Sequence, residues 1–205
     1  MALGDPYATR DELKARLDIP DADTLDDNRM DEALTTVSRE IETWCGRQFN
    51  NTTVASARVY QPRTTGLLVV DDFHTTTDLT IAVDNGDDGT YETTWPATDY
   101  ALEPRNGIVS GQTGWPYWRI VATGNRWWPT THRRPSVQVT AQWGWAAVPA
   151  PVKEACLIAA AELFKLGDAP FGIAGYGEFG PVRIRLNSRA MSLLAPYRLN
   201  PVKVG

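Results

Sequence analysis

The chain has 205 residues, of which 42% are hydrophobic and 22% are charged, and its formal net charge is −5. This composition is typical of a globular protein and excludes the disordered and fibrous classes. Tight nucleic-acid binding is disfavoured, because contacts to phosphate need an excess of Lys and Arg.

The charge is spread unevenly along the chain. Residues 1–53 carry 12 acidic and 6 basic side chains, whereas residues 148–205 carry 4 and 7. Two ends of opposite charge can attract each other between subunits, or they can be two separately solvated surfaces. No apolar run approaches the roughly 18–20 residues that span a bilayer, and residues 1–13 show no signal-peptide pattern.

Two helices are predicted in the first 53 residues. Thr9 and Glu12 form a capping box before a helix over about 10–17. A second helix over 25–46 is predicted from apolar residues at helical spacing, and Gly46 is placed to end it. The apolar residues of this second helix are Leu25, Met30, Leu34, Val37, Ile41 and Trp44.

From residue 54 to residue 147 the pattern changes to short strand-like runs between turns, and six or seven strands are expected. The stretch "VDNGDDGTYE" predicts a hairpin turn between two of them. A calcium loop is the competing interpretation. However, its third position is Gly86 and its twelfth, where a bidentate Glu is needed, is Trp95, so the turn is favoured.

A third helix is predicted from Pro149 to Leu166. It is apolar on nearly every side, so it must be covered on nearly every side. We expect part of it to pack on another chain, and burial between the protein's own layers is the alternative. A glycine loop, the short strand "VRIRL" and a last short helix "SRAMSLLA", capped by Asn187 or Ser188, follow before a polar tail.

These elements predict an α+β fold. A small helical core holds three main helices and a short C-terminal helix, and a β-rich insertion lies between the second and third helices. The predicted parts are residues 1–53, 54–147 and 148–205. Residues 54–147 form the insertion, and the other two parts complete the core.

The stretch "FGIAGYGEFGP" at 171–181 contains the pattern G-x-G-x-x-G. A dinucleotide-binding loop must follow a strand and open a helix. Here the pattern follows a helix and precedes a strand-like stretch, so a nucleotide site is disfavoured. The loop is interpreted as a segment that orders against a partner through spaced apolar side chains, or as a plain surface loop.

Few residues suggest a catalytic, metal-binding or redox role. Cys45 and Cys156 lie in helical apolar patterns and are predicted to be buried free thiols in a reducing cytoplasm rather than a disulfide. His74 and His132 lack metal-ligand spacing, and no nucleophile elbow or Walker loop is present. No enzyme, metal or cofactor is therefore expected, although a hydrolase that uses two carboxylates stays open.

The eight tryptophans give an alternative function, a carbohydrate-binding module on a virion or secreted protein. Aromatic faces stack on sugar rings, but tryptophans also fill cores and subunit contacts. The stretch "RWWPTTHRRP" adds three arginines and could form only a weak nucleic-acid patch in an acidic chain. Six tryptophans crowd the second half of the β region: Trp115, Trp118, Trp127, Trp128, Trp143 and Trp145.

The order of three segments resembles head-to-tail adaptor (connector) proteins of long-tailed double-stranded DNA bacteriophages. The first is "YATRDELKARL" with the helix ending in "IETWCGRQF". The second is "VQVTAQWGWAAVPAPVKEACLIAAAELF", and the third is "GIAGYGEFGPVRIRL" leading to "LLAPYR". The β region from 54 to 136 matches only loosely and looks like the enlarged insertion of some members.

The resemblance implies a structural virion protein without catalysis, present in the host cytoplasm before assembly. It implies a dodecameric ring below the portal protein that extends the DNA channel and docks the next neck or tail component. Double-stranded DNA would pass through without tight binding, and no membrane is involved. Residues 182–205 would reach the portal, and helices 25–46 and 149–166 would form the core and the contacts between neighbours. The residues predicted at subunit or portal interfaces are Leu157, Ile158, Ala161, Phe171, Ile173, Tyr176, Phe179, Arg183, Arg185, Tyr197 and Arg198.

Overall fold

The structure is a computed structural model, and it describes residues 2–168 and 187–199. The described chain is α+β, with strands between the second and third helices, which confirms the predicted fold class. It divides into two units. The β unit is Asn50–Ala147 with the first residues of the chain, and the helical unit is Gly4–Phe49 with the described residues from Val148 onwards. The predicted divisions fell at 53/54 and 147/148.

In the helical unit, α1 spans Arg10–Leu17 and α2 spans Asp27–Cys45. The hydroxyl of Thr9 and the carboxylate of Glu12 form the predicted capping box. Gly46 ends α2 in the left-handed region, with φ of 65°, and its N–H donates to the carbonyl of Glu42. These two helix boundaries were predictable because both depend on local backbone chemistry.

Two residues predicted on the apolar face of α2 lie elsewhere. Leu25 precedes the helix and is 88% exposed, because α2 begins only at Asp27. Trp44 is half-buried on the outward side. The buried face of α2 is formed by Met30, Ala33, Leu34, Val37, Ser38, Ile41 and Cys45.

The third helix, α3, spans Ala150–Asp168, and α4 spans Ser188–Leu194 before a 3₁₀ turn over Ala195–Tyr197. α3 packs against α1, α2 and α4, so the helical unit surrounds it from three sides. Much of α3 is therefore buried within the protein's own layers, and the expectation that part of it packs on another chain stays a prediction for its remaining exposed surface. Its buried residues are Val152, Ala155, Cys156, Leu157, Ala159, Ala160, Ala161 and Phe164.

The β unit contains seven short strands in two antiparallel sheets. One sheet has the order β1-β7-β3-β4 and the other β2-β6-β5. Their inward side chains form one core that contains Phe73, Trp95, Trp128 and Trp143. The strands are β1 Ser56–Tyr60, β2 Leu67–Phe73, β3 Thr80–Val83, β4 Thr93–Thr94, β5 Tyr100–Glu103, β6 Tyr117–Ala122 and β7 Val137–Ala141.

The acidic stretch after β3 is a turn, as predicted. β3 and β4 pair antiparallel, and the buried Asp84 carboxylate accepts hydrogen bonds from the backbone N–H groups of Gly86 and Gly89 at 3.0 and 2.8 Å. Burial raises the pKa of this carboxyl. The hydrogen bonds from backbone N–H groups lower the pKa by more than burial raises it, so the pKa lies below its usual value. The carboxylate that a calcium ion would need is thus engaged by the loop itself.

The W-G-W stretch after β7 crosses close to the chain that follows α2. Gly144 has φ of 92°, and its N–H donates to the carbonyl of Asp72 at 2.6 Å. A Cβ atom at this position would lie 1.8 Å from the carbonyl oxygen of Asn50. Only glycine fits here, because both the φ value and the close approach exclude a side chain.

Both cysteines are buried free thiols, as predicted. Burial raises the pKa of the Cys45 thiol to about 12, and burial also raises the pKa of Cys156. Among the described helices, none combines the length and the apolar character needed to cross a bilayer.

Candidate interaction surfaces

The outward face of α2 borders an open groove of about 790 Å³ in the helical unit. The groove exists because α2 directs its apolar residues inward and leaves polar residues and one aromatic ring outward. It is referred to below as the α2 groove, and its lining residues are Thr35, Thr36, Arg39, Glu40, Thr43, Trp44 and Arg198.

An aromatic ring and a guanidinium group that contact each other line part of the α2 groove. The Arg198 guanidinium carbon lies 5.4 Å from the centroid of the Trp44 ring, which is within the range of a cation–π contact. The N–H of Leu199 donates to the carbonyl of Cys45 at 2.8 Å and holds the chain beside the end of α2. Arg198, a predicted interface residue, therefore lines this groove.

Arg39 and Glu40 both line the groove, and each has a buried side-chain atom without a hydrogen-bond partner among the described residues. In Glu40 this atom is Oε2. The neighbouring Arg39 instead pairs with Glu42 at 3.1 Å. Burial raises the pKa of the Glu40 carboxyl. A buried acceptor without a partner costs free energy, so a cation supplied from outside the groove would stabilise the carboxylate.

A second surface lies where α3 ends and α4 begins. Asn187 donates a hydrogen bond to Glu162 and accepts one from the N–H of Arg189, so the two helix ends are held together. Lys165 and Arg189 make no side-chain ion pair or hydrogen bond with the described residues, and Leu166 is 56% exposed. The surface formed by Lys165, Leu166 and Arg189 is called the basic corner below.

The structure separates the predicted interface residues into three groups. Leu157, Ala161 and Tyr197 are only 7–9% exposed, because they pack inside the helical unit, and Tyr197 meets the ring of Phe49 edge-on. Ile158 is half-buried and Arg198 is exposed, so both retain surface for a partner. Six predicted residues lie outside the described residues: Phe171, Ile173, Tyr176, Phe179, Arg183 and Arg185.

The sequence pattern alone did not indicate Glu40 or the basic corner as interaction sites. Trp44 was assigned to the core because its spacing matched the apolar stripe, whereas it faces the groove. Three threonines and a carboxylate on the face opposite the stripe were the available signal, but such residues are also normal on a solvated helix face. What distinguishes these residues is whether their polar atoms have hydrogen-bond partners, and only the tertiary structure shows this.

Five of the eight tryptophans are buried in the β unit, and three of them, Trp95, Trp128 and Trp143, belong to its core. Trp95 and Trp128 stack with ring centroids 4.1 Å apart and an interplanar angle of 14°. Trp127 is 66% exposed, whereas Trp118 is half-buried. The buried tryptophans are Trp95, Trp115, Trp128, Trp143 and Trp145.

The arginines of "RWWPTTHRRP" are partly engaged. Arg126 pairs with Asp99 at 2.5 Å, and the guanidinium of Arg134 donates to the carbonyl of Asp88 at 3.1 Å. Within residues 2–168 and 187–199, no three His, Cys, Asp or Glu side chains are arranged to hold a metal ion. Neither a phosphate-binding cluster nor a metal site is thus favoured by the described side chains.

The fold, a helical unit interrupted by a two-sheet β unit, occurs in solved structures of gene transfer agent (GTA) particles. No protein-family model and no curated protein matches the sequence. One similar chain belongs to the neck of an empty GTA particle computed with C6 symmetry. The identity is 19%, the TM-score is 0.57, and the match covers 100% of this chain and 99% of that chain.

Two further chains share the fold. One belongs to the neck of a native GTA particle computed with C12 symmetry, with 17% identity, a TM-score of 0.52 and coverage of 100% and 99%. The other belongs to the virion of a native gene transfer agent (GTA) particle, with 17% identity, a TM-score of 0.52 and coverage of 95% and 91%. The two matches to neck chains cover 100% of this chain, and they therefore include the β unit.

Proposed function

We propose that this protein is a structural component of a phage-type neck, where copies of it form an adaptor ring between the portal protein and the next neck or tail component. The observation that carries the proposal is the full-length likeness of fold to chains from the necks of GTA particles. The order of the sequence segments points in the same direction.

A dodecameric ring is the proposed assembly. One of the similar necks was computed with C12 symmetry and another with C6 symmetry, and a twelvefold ring contains both. The acidic chain is suited to a lumen through which DNA passes, because negative surfaces repel phosphate and disfavour tight binding. The role is structural, and no catalytic step is proposed.

The test is electron microscopy of the protein mixed with its portal, and of particles that contain it. The expected result is a ring of this protein at the capsid exit, below the portal. Particles made without the protein should contain filled heads that fail to join tails. Particles with no circular density from this protein at the capsid exit would overturn the proposal.

A further inference from the structure

The α2 groove and the basic corner are chemically complementary. The groove offers the Glu40 carboxylate, whose buried Oε2 has no hydrogen-bond partner in the part of the chain that the structure describes, and the aromatic ring of Trp44. The corner offers the cations Lys165 and Arg189, which have no side-chain partner among the described residues, beside the exposed Leu166. A cation would satisfy the carboxylate, and the leucine would cover apolar surface in the groove.

The two surfaces are too far apart to meet within one copy. Arg29, near the start of α2, touches the carbonyl of Phe164, whereas Ser38 in the middle of α2 touches Cys156. α2 and α3 are therefore antiparallel, and the basic corner lies at the end of the pair where α2 begins. Glu40 lies about 16 Å further along α2 at 1.5 Å per residue.

The path through α4 leads to the same conclusion. Arg189 lies in the first turn of α4, and Arg198 follows the 3₁₀ turn that ends this segment beside the groove. The helical rise separates the two arginines by about 13 Å. Arg189 is therefore also distant from the groove of its own copy, and only a second copy can bring a basic corner to the α2 groove.

We propose that the basic corner of one copy docks in the α2 groove of the next, with Lys165 paired to Glu40 and Leu166 against Trp44. Because two different surfaces meet, the contact is heterologous, and heterologous contacts propagate into rings or filaments rather than closed dimers. The inference rests on the proposed function only for the closure of this contact into a ring.

The test is a disulfide ladder. The double variant Glu40→Cys/Lys165→Cys is purified, oxidised and run on a non-reducing denaturing gel, both as free protein at high concentration and in assembled particles. A disulfide needs Cα atoms within about 7 Å, so the bond cannot form within one copy. The native cysteines are buried and do not compete.

The expected result is a ladder from dimer to the full ring in at least one of the two preparations. The matched control is Arg63→Cys/Lys165→Cys, in which the exposed Arg63 of the β unit replaces the groove position. The control should give at least tenfold less cross-linked product. A product that stops at dimer, equal ladders in both pairs, or no cross-link in either preparation would overturn the proposal.

A charge exchange gives a second, independent readout. Lys165→Glu should weaken self-association or ring assembly at least tenfold, and Glu40→Lys should do the same. The combination Glu40→Lys/Lys165→Glu should recover most of the loss, with folding checked by circular dichroism. If particles contain a ring but neither ladder nor recovery is seen, this contact is wrong and the proposed function stands. If particles contain no ring, the proposed function itself fails.

Discussion

The backbone N–H of Tyr7 donates a hydrogen bond of 3.0 Å to the hydroxyl of Ser38, and this contact anchors the segment before α1 on the middle of α2. The Ser38 hydroxyl in turn donates to the carbonyl of Leu34 at 2.7 Å. Both Tyr7 and Ser38 are fully buried. One polar side chain therefore satisfies a buried donor in a segment far away in sequence.

Ser38→Ala should destabilise the helical unit, because the Tyr7 N–H loses its acceptor in a dry environment. The expected loss is about 1–3 kcal/mol of the free energy of unfolding. Urea unfolding followed by the helical circular dichroism signal measures it. Thr43→Ala, on the exposed face of the same helix, is the control and should change stability by less than about 0.5 kcal/mol. Equal effects of the two variants would contradict the assignment.

Gly144→Ala should destabilise the β unit by about 3 kcal/mol or more, since a Cβ atom would collide with the Asn50 carbonyl and the φ value is unfavourable. Gly111→Ala separates the two causes. Gly111 also has a positive φ, of 79°, but has open space around it. It should cost only about 1–2 kcal/mol. Tryptophan fluorescence during urea unfolding follows the β unit, and a tolerated Gly144→Ala would refute the close crossing.

Asp84→Asn should lower the thermal midpoint of the β unit at neutral pH, because the carboxylate accepts several backbone hydrogen bonds. The folded pKa of Asp84 lies below its unfolded value, so its stabilising effect is present above about pH 4 and is lost as the pH falls through the folded pKa. The midpoints of the wild type and the variant should therefore converge in acid. Millimolar calcium should shift neither midpoint, and a calcium-dependent rise of the wild-type midpoint would revive the metal interpretation.

Trp128 and Trp127 are adjacent in sequence, but replacement of Trp128 should reduce the stability of the protein far more than replacement of Trp127. Trp128→Ala removes a fully buried ring that stacks on Trp95, and the expected loss is about 3–5 kcal/mol. Trp127→Ala removes an exposed ring and should change stability by less than about 0.5 kcal/mol. Tryptophan fluorescence during chemical unfolding measures both. Glycan-array binding that disappears in Trp127→Ala would favour the carbohydrate-binding alternative.

Deletion of residues 171–180 tests the predicted role of the glycine loop in docking. The variant should keep the helical circular dichroism of the parent protein but bind its portal or neighbouring copies more weakly, by about tenfold or more. Pull-down and electron microscopy with the portal measure this. Unchanged assembly after the deletion would show that the loop is an ordinary connection.

Several helix ends and the turn after β3 were predictable from the sequence because their causes are local. Thr9 and Glu12 satisfy each other's backbone donors within one turn, and Gly46 adopts the left-handed conformation that ends α2. Asp84 folds onto backbone N–H groups a few residues ahead. None of these features needs a distant partner, so a short window of sequence contains all the relevant physics.

Which elements cover α3 was not predictable from a short window of sequence. Its sequence determines that it must be covered on nearly every side, but it does not say by what. In the structure, α1, α2 and α4 supply that cover, and Leu157 and Ala161 are buried within one copy. Apolar area is not directional, so the same stripe serves equally for a core or for a subunit contact.

The sequence by itself thus determined the α+β class, the helix caps, the acidic turn and the free thiols of this protein. Only the tertiary structure decided that Trp44 faces outward, that Glu40 has a buried oxygen without a partner among residues 2–168 and 187–199, and that Lys165 lies at the other end of the α2–α3 pair. The physical reason is that a buried polar group is unsatisfied only when no hydrogen-bond partner lies within reach. Such partners come from elements far apart in sequence, so only the tertiary structure shows whether one is close enough.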